Sequence, residues 1–169
     1  MKYKVIKSGR KTISLEISRN ADVIVRVPYG TKDKFIEEFI NSHKFWIEKH
    51  LNNRLEKAEM FKNADENSQA LKKAAREYIF KRAEEFAKIM NVKYSGIKIT
   101  SAKTRFGSCS GKNSLCFSYI LMLYPKEAID YVIVHELAHT VEHNHSKRFY
   151  KIIEKYLPDY KQRERMLKK

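Results

Sequence analysis

The chain has 169 residues, a formal net charge of +15 and only two cysteines, Cys109 and Cys116. This length can bury a hydrophobic core, whereas two cysteines are too few for a disulfide framework. The longest apolar run, IDYVIV before His135, is too short to cross a bilayer, and the N-terminus lacks the apolar segment of a signal peptide. We therefore expect a cytoplasmic protein with reduced thiols and no membrane partner.

Three strands and a helix are predicted at the N-terminus. Residues 3–7 and 12–17 read as strands, and the turn residues between them predict a hairpin. Residues 22–27 alternate valine with other side chains and predict a third strand. A helix capped by Thr31 or Asp33 should follow, because apolar side chains recur there at helical spacing.

A polar stretch at 51–68 separates two predicted segments. Its clearest break is NADENSQ, so we divide the chain into an N-terminal segment, 1–62, of strands and helix, and a C-terminal catalytic segment, 63–169. The second segment should contain a helix at about 69–91, a small antiparallel sheet and a deeply buried helix that starts at Pro125. The strands of that sheet are expected at 97–101, 103–110 and 114–119. This order of elements predicts an α+β fold.

HELAHTVEHNHS, residues 135–146, contains four histidines and two glutamates. On a helix, His135 and His139 lie on one face, one turn apart, and can share one cation. Glu136 points beside them and cannot easily join them. This H-E-x-x-H spacing is typical of zinc hydrolases, in which imidazoles hold the ion and the glutamate takes a proton from the activated water. We predict His135 and His139 as zinc ligands and Glu136 as the catalytic base.

The third ligand depends on where this helix ends. If the helix continues, His143 lies roughly 12 Å along the axis from the first ligand and cannot share its ion. If the helix ends near His143, the chain can turn at Asn144 and His145 can swing back. His145 is our predicted third ligand, with Glu154 on the following helix as the runner-up and Glu142 as a weaker option.

Two C-terminal stretches carry a family resemblance. RFGSCS (105–110), followed by PKEAIDYVIVHELAHTVEHNHSKRFY (125–150), resembles the YgjP-like metallopeptidase domain family. The N-terminal RKTISLEI and VRVP and the central FWIEKHL also fit, so the resemblance covers nearly the whole chain. Phe106 stands where tryptophan is common in the family, and Ala138 where cysteine is common.

The resemblance implies a zincin-like core, in which the small sheet packs on the buried H-E-x-x-H helix. It also implies a zinc-dependent hydrolase of peptide bonds, with a peptide or protein as substrate. On the matching positions, His135, His139 and His145 become ligands and Glu136 the base. The family is distantly similar to SprT-like proteases, which act on proteins attached to DNA.

The strand RFGSCS raises a question about substrate binding. In zincins, the hairpin before the metal helix serves as an edge for extended substrates, and the small residues Gly107 and Ser108 would let a peptide approach closely. Arg105 is a candidate catalytic residue that would hold a substrate carboxylate or stabilise the oxyanion, although a structural ion pair is the alternative. Oxyanion donors are also available at Tyr119, Tyr131 and Tyr150.

Two other classes of function compete with the zinc metallopeptidase. One is a nucleic-acid-associated metalloprotein, either a DNA-linked protease or a protein with a structural zinc site. The other is a metal-dependent hydrolase of a non-peptide amide. The intact Glu136 favours an enzyme, because a structural site needs no base. The basic residues are spread along the whole chain, which favours a lysine-rich composition and at most weak nucleic-acid binding.

Overall fold

The computed structural model describes residues 2–18 and 21–167. The chain divides into two compact units, Met1–Lys62 and Asn63–Lys169. Helices and strands occur in both units, which confirms the predicted α+β class. Among the described residues, no helix combines the length and the apolar character that a membrane span requires.

The first unit contains a three-stranded sheet whose strands are β1 (Tyr3–Ser8), β2 (Ser14–Ile17) and β3 (Val23–Pro28). Strand β3 is central; it pairs in parallel with β1 and antiparallel with β2. The predicted hairpin between the first two strands is therefore wrong. Strand β3 takes the centre because it carries the buried valines, which are at most 3% exposed and pack with isoleucines of the following helices.

Two helices follow in this part of the chain, α1 (Asp33–Ser42) and α2 (Lys44–Glu66). Helix α2 runs through most of the polar stretch that we expected to break the chain. Most of its side chains are exposed, and it is rich in lysine and glutamate, which favour helix without requiring burial. The break that remains is the single residue Asn67, because α3 begins at Ser68.

The second unit contains the remaining elements. They are α3 (Ser68–Met90), β4 (Gly96–Thr100), β5 (Gly107–Cys109), β6 (Ser114–Ser118), a 3₁₀ turn (Tyr119–Leu123), α4 (Lys126–Ala138), α5 (Lys147–Tyr156) and α6 (Tyr160–Met166). The predicted hairpin of β5 and β6 is confirmed, with Asn113 in the left-handed conformation at its turn. The sheet is mixed, however, because β4 pairs with β6 in parallel. Strand β6 is central and carries the fully buried Leu115 and Phe117.

Helix α4 is buried on nearly every side, as its apolar sequence predicts. It packs against α3, α5, α6 and strand β5. On the α3 side, the buried carboxylate of Asp130 accepts hydrogen bonds from Arg82 at 2.6 and 3.0 Å and from the Tyr78 hydroxyl at 3.3 Å. The helix that carries the H-E-x-x-H sequence therefore has a fixed position within the unit.

Candidate metal centre

The end of α4 brings three histidines together. The helix ends at Ala138, whose carbonyl accepts the N–H groups of Val141 and Glu142 as the chain turns. This end is earlier than the one near His143 that we expected, and Asn144 does not adopt the left-handed conformation, so the predicted turn mechanism is wrong. The early end leaves enough chain for His145 to return to the first two histidines.

The imidazoles of His135, His139 and His145 point their Nε2 atoms at one another. The His145 Nε2 atom lies 3.1 Å from that of His135 and 3.2 Å from that of His139, and the three candidate ligand atoms all lie within 4.8 Å of one another. Two nitrogens on a tetrahedral zinc ion, each 2.0–2.1 Å from it, lie roughly 3.3–3.4 Å apart. The arrangement therefore fits three ligands of one cation, with a fourth position open.

The protonation of the histidines suits metal binding. The His139 Nδ1–H group donates to the carbonyl of Glu142 at 3.1 Å, which leaves the lone pair on Nε2. Burial, together with the neighbouring imidazoles of His139 and His145, lowers the pKa of His135 to about 3. Burial also lowers the pKa of His139. Neutral imidazoles are the form that a metal ion requires.

Phe149 packs against the histidine cluster and contacts all three imidazoles. Its ring stacks on His139, with centroids 4.4 Å apart, and meets His135 and His145 edge-on, each at 4.8 Å. The residue is fully buried in the first turn of α5, where Ser146 caps the helix by accepting the Phe149 N–H. Sequence reasoning missed this role, because an aromatic residue after a helix cap is an ordinary core position.

Glu136 is 6% exposed, and this burial raises its pKa to about 8. Its carboxylate lies against Gly107 on β5, where an added Cβ would come within 2.6 Å of Oε1 and 2.7 Å of Cγ. We expected the missing side chain to make room for a substrate strand. That reason is wrong: Glu136 itself occupies the space beside Gly107.

The structure separates the other candidates from the three histidines. His143 and Glu154 are exposed, and neither belongs to the potential metal-binding group found among the described residues. The backbone carbonyl of Glu142 accepts the hydrogen bond from His139, while its carboxylate lies 3.8 Å from Arg148. Arg105 is exposed and forms no ion pair with any residue in 2–18 or 21–167, so the structural ion pair that we considered for it is not formed there.

The three candidate tyrosines differ in position. Tyr119 is buried and its hydroxyl donates to Asp65 at 2.8 Å, which makes it unavailable to a substrate. Tyr131 is buried one turn before His135, and burial raises the pKa of its hydroxyl. Tyr150 is partly exposed beside His145, with ring centroids 6.3 Å apart. Position therefore leaves Tyr131 and Tyr150 as candidate oxyanion donors.

A cavity of about 300 Å³ opens beside Glu136. It lies between β5, α4 and α6. Its walls are formed by Phe106, Gly107, Tyr131, Val132, His135, Glu136, Glu164 and Leu167. The candidate base and one candidate ligand thus face a space into which part of a substrate could enter.

Comparisons with known proteins point to the same chemistry. The family model described as "YgjP-like, metallopeptidase domain" matches residues 11–70 and 54–169. No curated protein matches the chain.

Two solved structures are similar to part of the chain. The metallopeptidase zymogen abylysin of Pyrococcus abyssi is 22% identical, with a TM-score of 0.49 over 53% of this chain and 90% of that chain. The metallopeptidase zymogen jannalysin of Methanocaldococcus jannaschii is 25% identical, with a TM-score of 0.42 over 46% of this chain and 80% of that chain. These structural similarities are too low to support a conclusion. The membership of the chain in a family therefore depends on the match to the family model.

Proposed function

Because the chain belongs to the YgjP-like metallopeptidase domain family, we propose that it is a zinc-dependent peptidase. Membership implies a metal ion and a peptide or protein substrate, and the histidine cluster supports a metal site in this chain. The single observation that carries the proposal is the convergence of three Nε2 atoms beside the buried carboxylate of Glu136.

His135, His139 and His145 are the proposed ligands. Three protein ligands and one open position are usual for a catalytic zinc, and nitrogen donors favour zinc over the harder cations magnesium and calcium. Zinc held there would lower the pKa of a coordinated water to about 7 and polarise the scissile carbonyl. The hydrogen bond from His139 to the Glu142 carbonyl and the ring of Phe149 hold the ligands in place.

Glu136 is the proposed general base. One residue past His135 on α4, it lies beside the ligands without belonging to their cluster. It would take a proton from the attacking water and deliver it to the leaving amine. Gly107 leaves room for it, because any side chain at that position would enter the volume of the glutamate.

Strand β5 is the proposed edge for the substrate backbone. It pairs with β6 on one side and is the edge strand of its three-stranded sheet, and its first residue, Gly107, contacts Glu136. An extended peptide added along the free edge would form backbone hydrogen bonds and pass the catalytic carboxylate. Arg105 directly precedes this strand and has no protein partner in the described part of the chain, which leaves it free to contact a substrate carboxylate.

The proposal is tested by substitution of the base and the ligands. The Glu136→Gln protein should keep one zinc per chain, measured by metal analysis, and lose hydrolysis of a quenched fluorescent peptide. His143→Ala is the matched control, because this histidine is exposed and lies outside the cluster. It should retain both zinc and activity.

The ligand set is tested in the same assay. His145→Ala should lose zinc, since three nitrogens are replaced by two, while Glu154→Ala should bind zinc with unchanged affinity. Full zinc affinity in His145→Ala with loss in Glu154→Ala would contradict the assignment. Loss of zinc in Glu136→Gln would show that Glu136 is a ligand and not the base.

A further inference from the structure

The cavity beside Glu136 has a defined place in the fold. Tyr131 and Val132 form one wall, and they precede His135 and Glu136 by four residues on α4. The wall therefore lies one helical turn, about 5.4 Å, from the catalytic pair and on the same face. A group that enters the cavity brings whatever it is attached to close to the proposed reaction centre.

The walls of the cavity are mainly apolar. Phe106, which directly precedes β5, Val132 from α4 and Leu167 at the end of α6 enclose it together with the ring of Tyr131. Its volume of about 300 Å³ is about twice that of an apolar cavity that binds benzene. The space is therefore large enough for a side chain the size of leucine or phenylalanine.

The polar lining disfavours an acidic occupant. The carboxyl groups that line the cavity belong to Glu136 and Glu164, and none of the lining residues is a lysine or an arginine. A carboxylate placed there would leave water without gaining a cationic partner. The chemistry of the walls selects apolar groups over acidic ones.

We infer that this cavity receives the apolar side chain of a substrate residue next to the scissile bond, and that it thereby sets the cleavage preference. The inference rests on the proposed function, because it needs a peptide bond held at the metal centre. It names the class of substrate: peptides with a large aliphatic or aromatic residue beside the cleaved bond. The reason is that one cavity is lined both by the apolar wall of α4 and by His135 and Glu136.

Hydroxamates test the inference, because their headgroup binds zinc and their tail can be varied. We would measure binding to the zinc-loaded protein by calorimetry with acetohydroxamate, 3-phenylpropanohydroxamate and succinate monohydroxamate. The phenyl tail should lower the dissociation constant at least about tenfold relative to acetohydroxamate, because burial of an apolar group in a matching pocket strengthens binding by this amount. The carboxylate tail should give no improvement.

Leu167→Trp links the improvement to this cavity, because the larger ring should fill it. The ratio of the phenylpropano and aceto dissociation constants should then approach one. Ile89→Trp is the matched control, since Ile89 is 63% exposed on α3 and does not line the cavity. It should keep the tenfold ratio.

The outcomes separate the inference from the proposed function. Equal affinity for the three hydroxamates, or a tenfold ratio that persists in Leu167→Trp, overturns the inference and leaves the metal site standing. Absence of acetohydroxamate binding contradicts the proposed zinc peptidase, and the inference falls with it.

Discussion

At the scale of single residues, the candidate site depends on what two positions do to their neighbours. Gly107 matters because it lacks a side chain: the carboxylate of Glu136 fills the space where a Cβ would lie. Phe149 matters because its ring contacts the imidazoles of all three candidate ligands. Neither residue carries out chemistry, but both determine where the reactive atoms lie.

Gly107→Ala should therefore lower kcat. The new Cβ would lie 2.6 Å from Glu136 Oε1, so the carboxylate must move, and a shift of about 1 Å in a catalytic group can cost on the order of a hundredfold in rate. Gly111→Ala is the matched control, because Gly111 has no atom within 4 Å of an added Cβ and does not have positive φ. Steady-state kinetics and metal analysis of the two variants check this prediction. A change confined to KM would instead indicate that the missing side chain of Gly107 makes room for the substrate strand.

Phe149→Leu should weaken zinc binding. Loss of the ring removes the surface that holds the three imidazoles at 4.4 to 4.8 Å, and disturbance of such supporting residues typically costs about 10- to 100-fold in metal affinity. Competition with a chromophoric chelator measures the effect. Phe86→Leu is the control, since Phe86 is buried on α3 away from the histidine cluster. Equal zinc affinity in the two variants would reduce Phe149 to an ordinary core residue.

At the scale of elements, α4 carries the candidate site residues His135 and Glu136 and must be held by its neighbours. The side chain of Asp130 is 12% exposed and that of Arg82 on α3 is 29% exposed, with 2.6 Å between them. The carboxylate also accepts the Tyr78 hydroxyl. This network joins α4 to α3.

Asp130→Ala should destabilise the fold by about 2 kcal/mol, because removal of one partner leaves the other charge partly buried and unpaired. The estimate is below that for a fully buried pair because water reaches Arg82. Glu84→Ala, which breaks the exposed pair with Lys88 on the same helix α3, should not change stability measurably. Urea denaturation of both variants provides the comparison. Equal effects would mean that the network does not anchor α4.

The helices were more predictable than the strand pairing. Local periodicity placed α3 and the start of the buried α4 to within a few residues, because side chains three and four apart share a face whatever surrounds them. Pairing depends on distant parts of the chain, so the sequence did not show that β1 joins β3 in parallel. The polar helix α2 was also missed as a continuous element, because periodicity detects burial and most of this helix is exposed.

The candidate site was predictable to a similar extent. The spacing of His135 and His139 indicates a shared ion from helix geometry alone. The structure brings His145 to them, although through a different helix end and turn from those we expected. The contacts of Gly107 and Phe149 were not predictable, because they depend on packing between β5, α4 and α5, which no local pattern encodes.

At the scale of the whole molecule, the question is what the net charge of +15 means. Several basic side chains are already paired with acids, including Arg26 with Glu16 and Lys88 with Glu84. A small group of cations, Lys72, Lys73 and Arg76, lies on α3, but Lys72 is placed over the ring of Tyr119. The structure therefore gives no reason to prefer a dedicated nucleic-acid surface over a generally basic composition.

Titration with duplex and single-stranded DNA should accordingly show weak binding that disappears as salt is added. A scattered positive charge attracts phosphate through counterion release, and such binding has dissociation constants of about 10⁻⁴ to 10⁻⁶ M at physiological salt. Fluorescence anisotropy at increasing salt, with both forms of DNA, measures the affinity and its dependence on salt concentration together. A charge-reduced variant with Lys72, Lys73 and Arg76 changed to glutamine should bind only slightly less, because the basic residues are spread along the whole sequence. Tight binding that persists at physiological salt and prefers one form of DNA would overturn this view and favour a protease that acts on DNA-attached proteins.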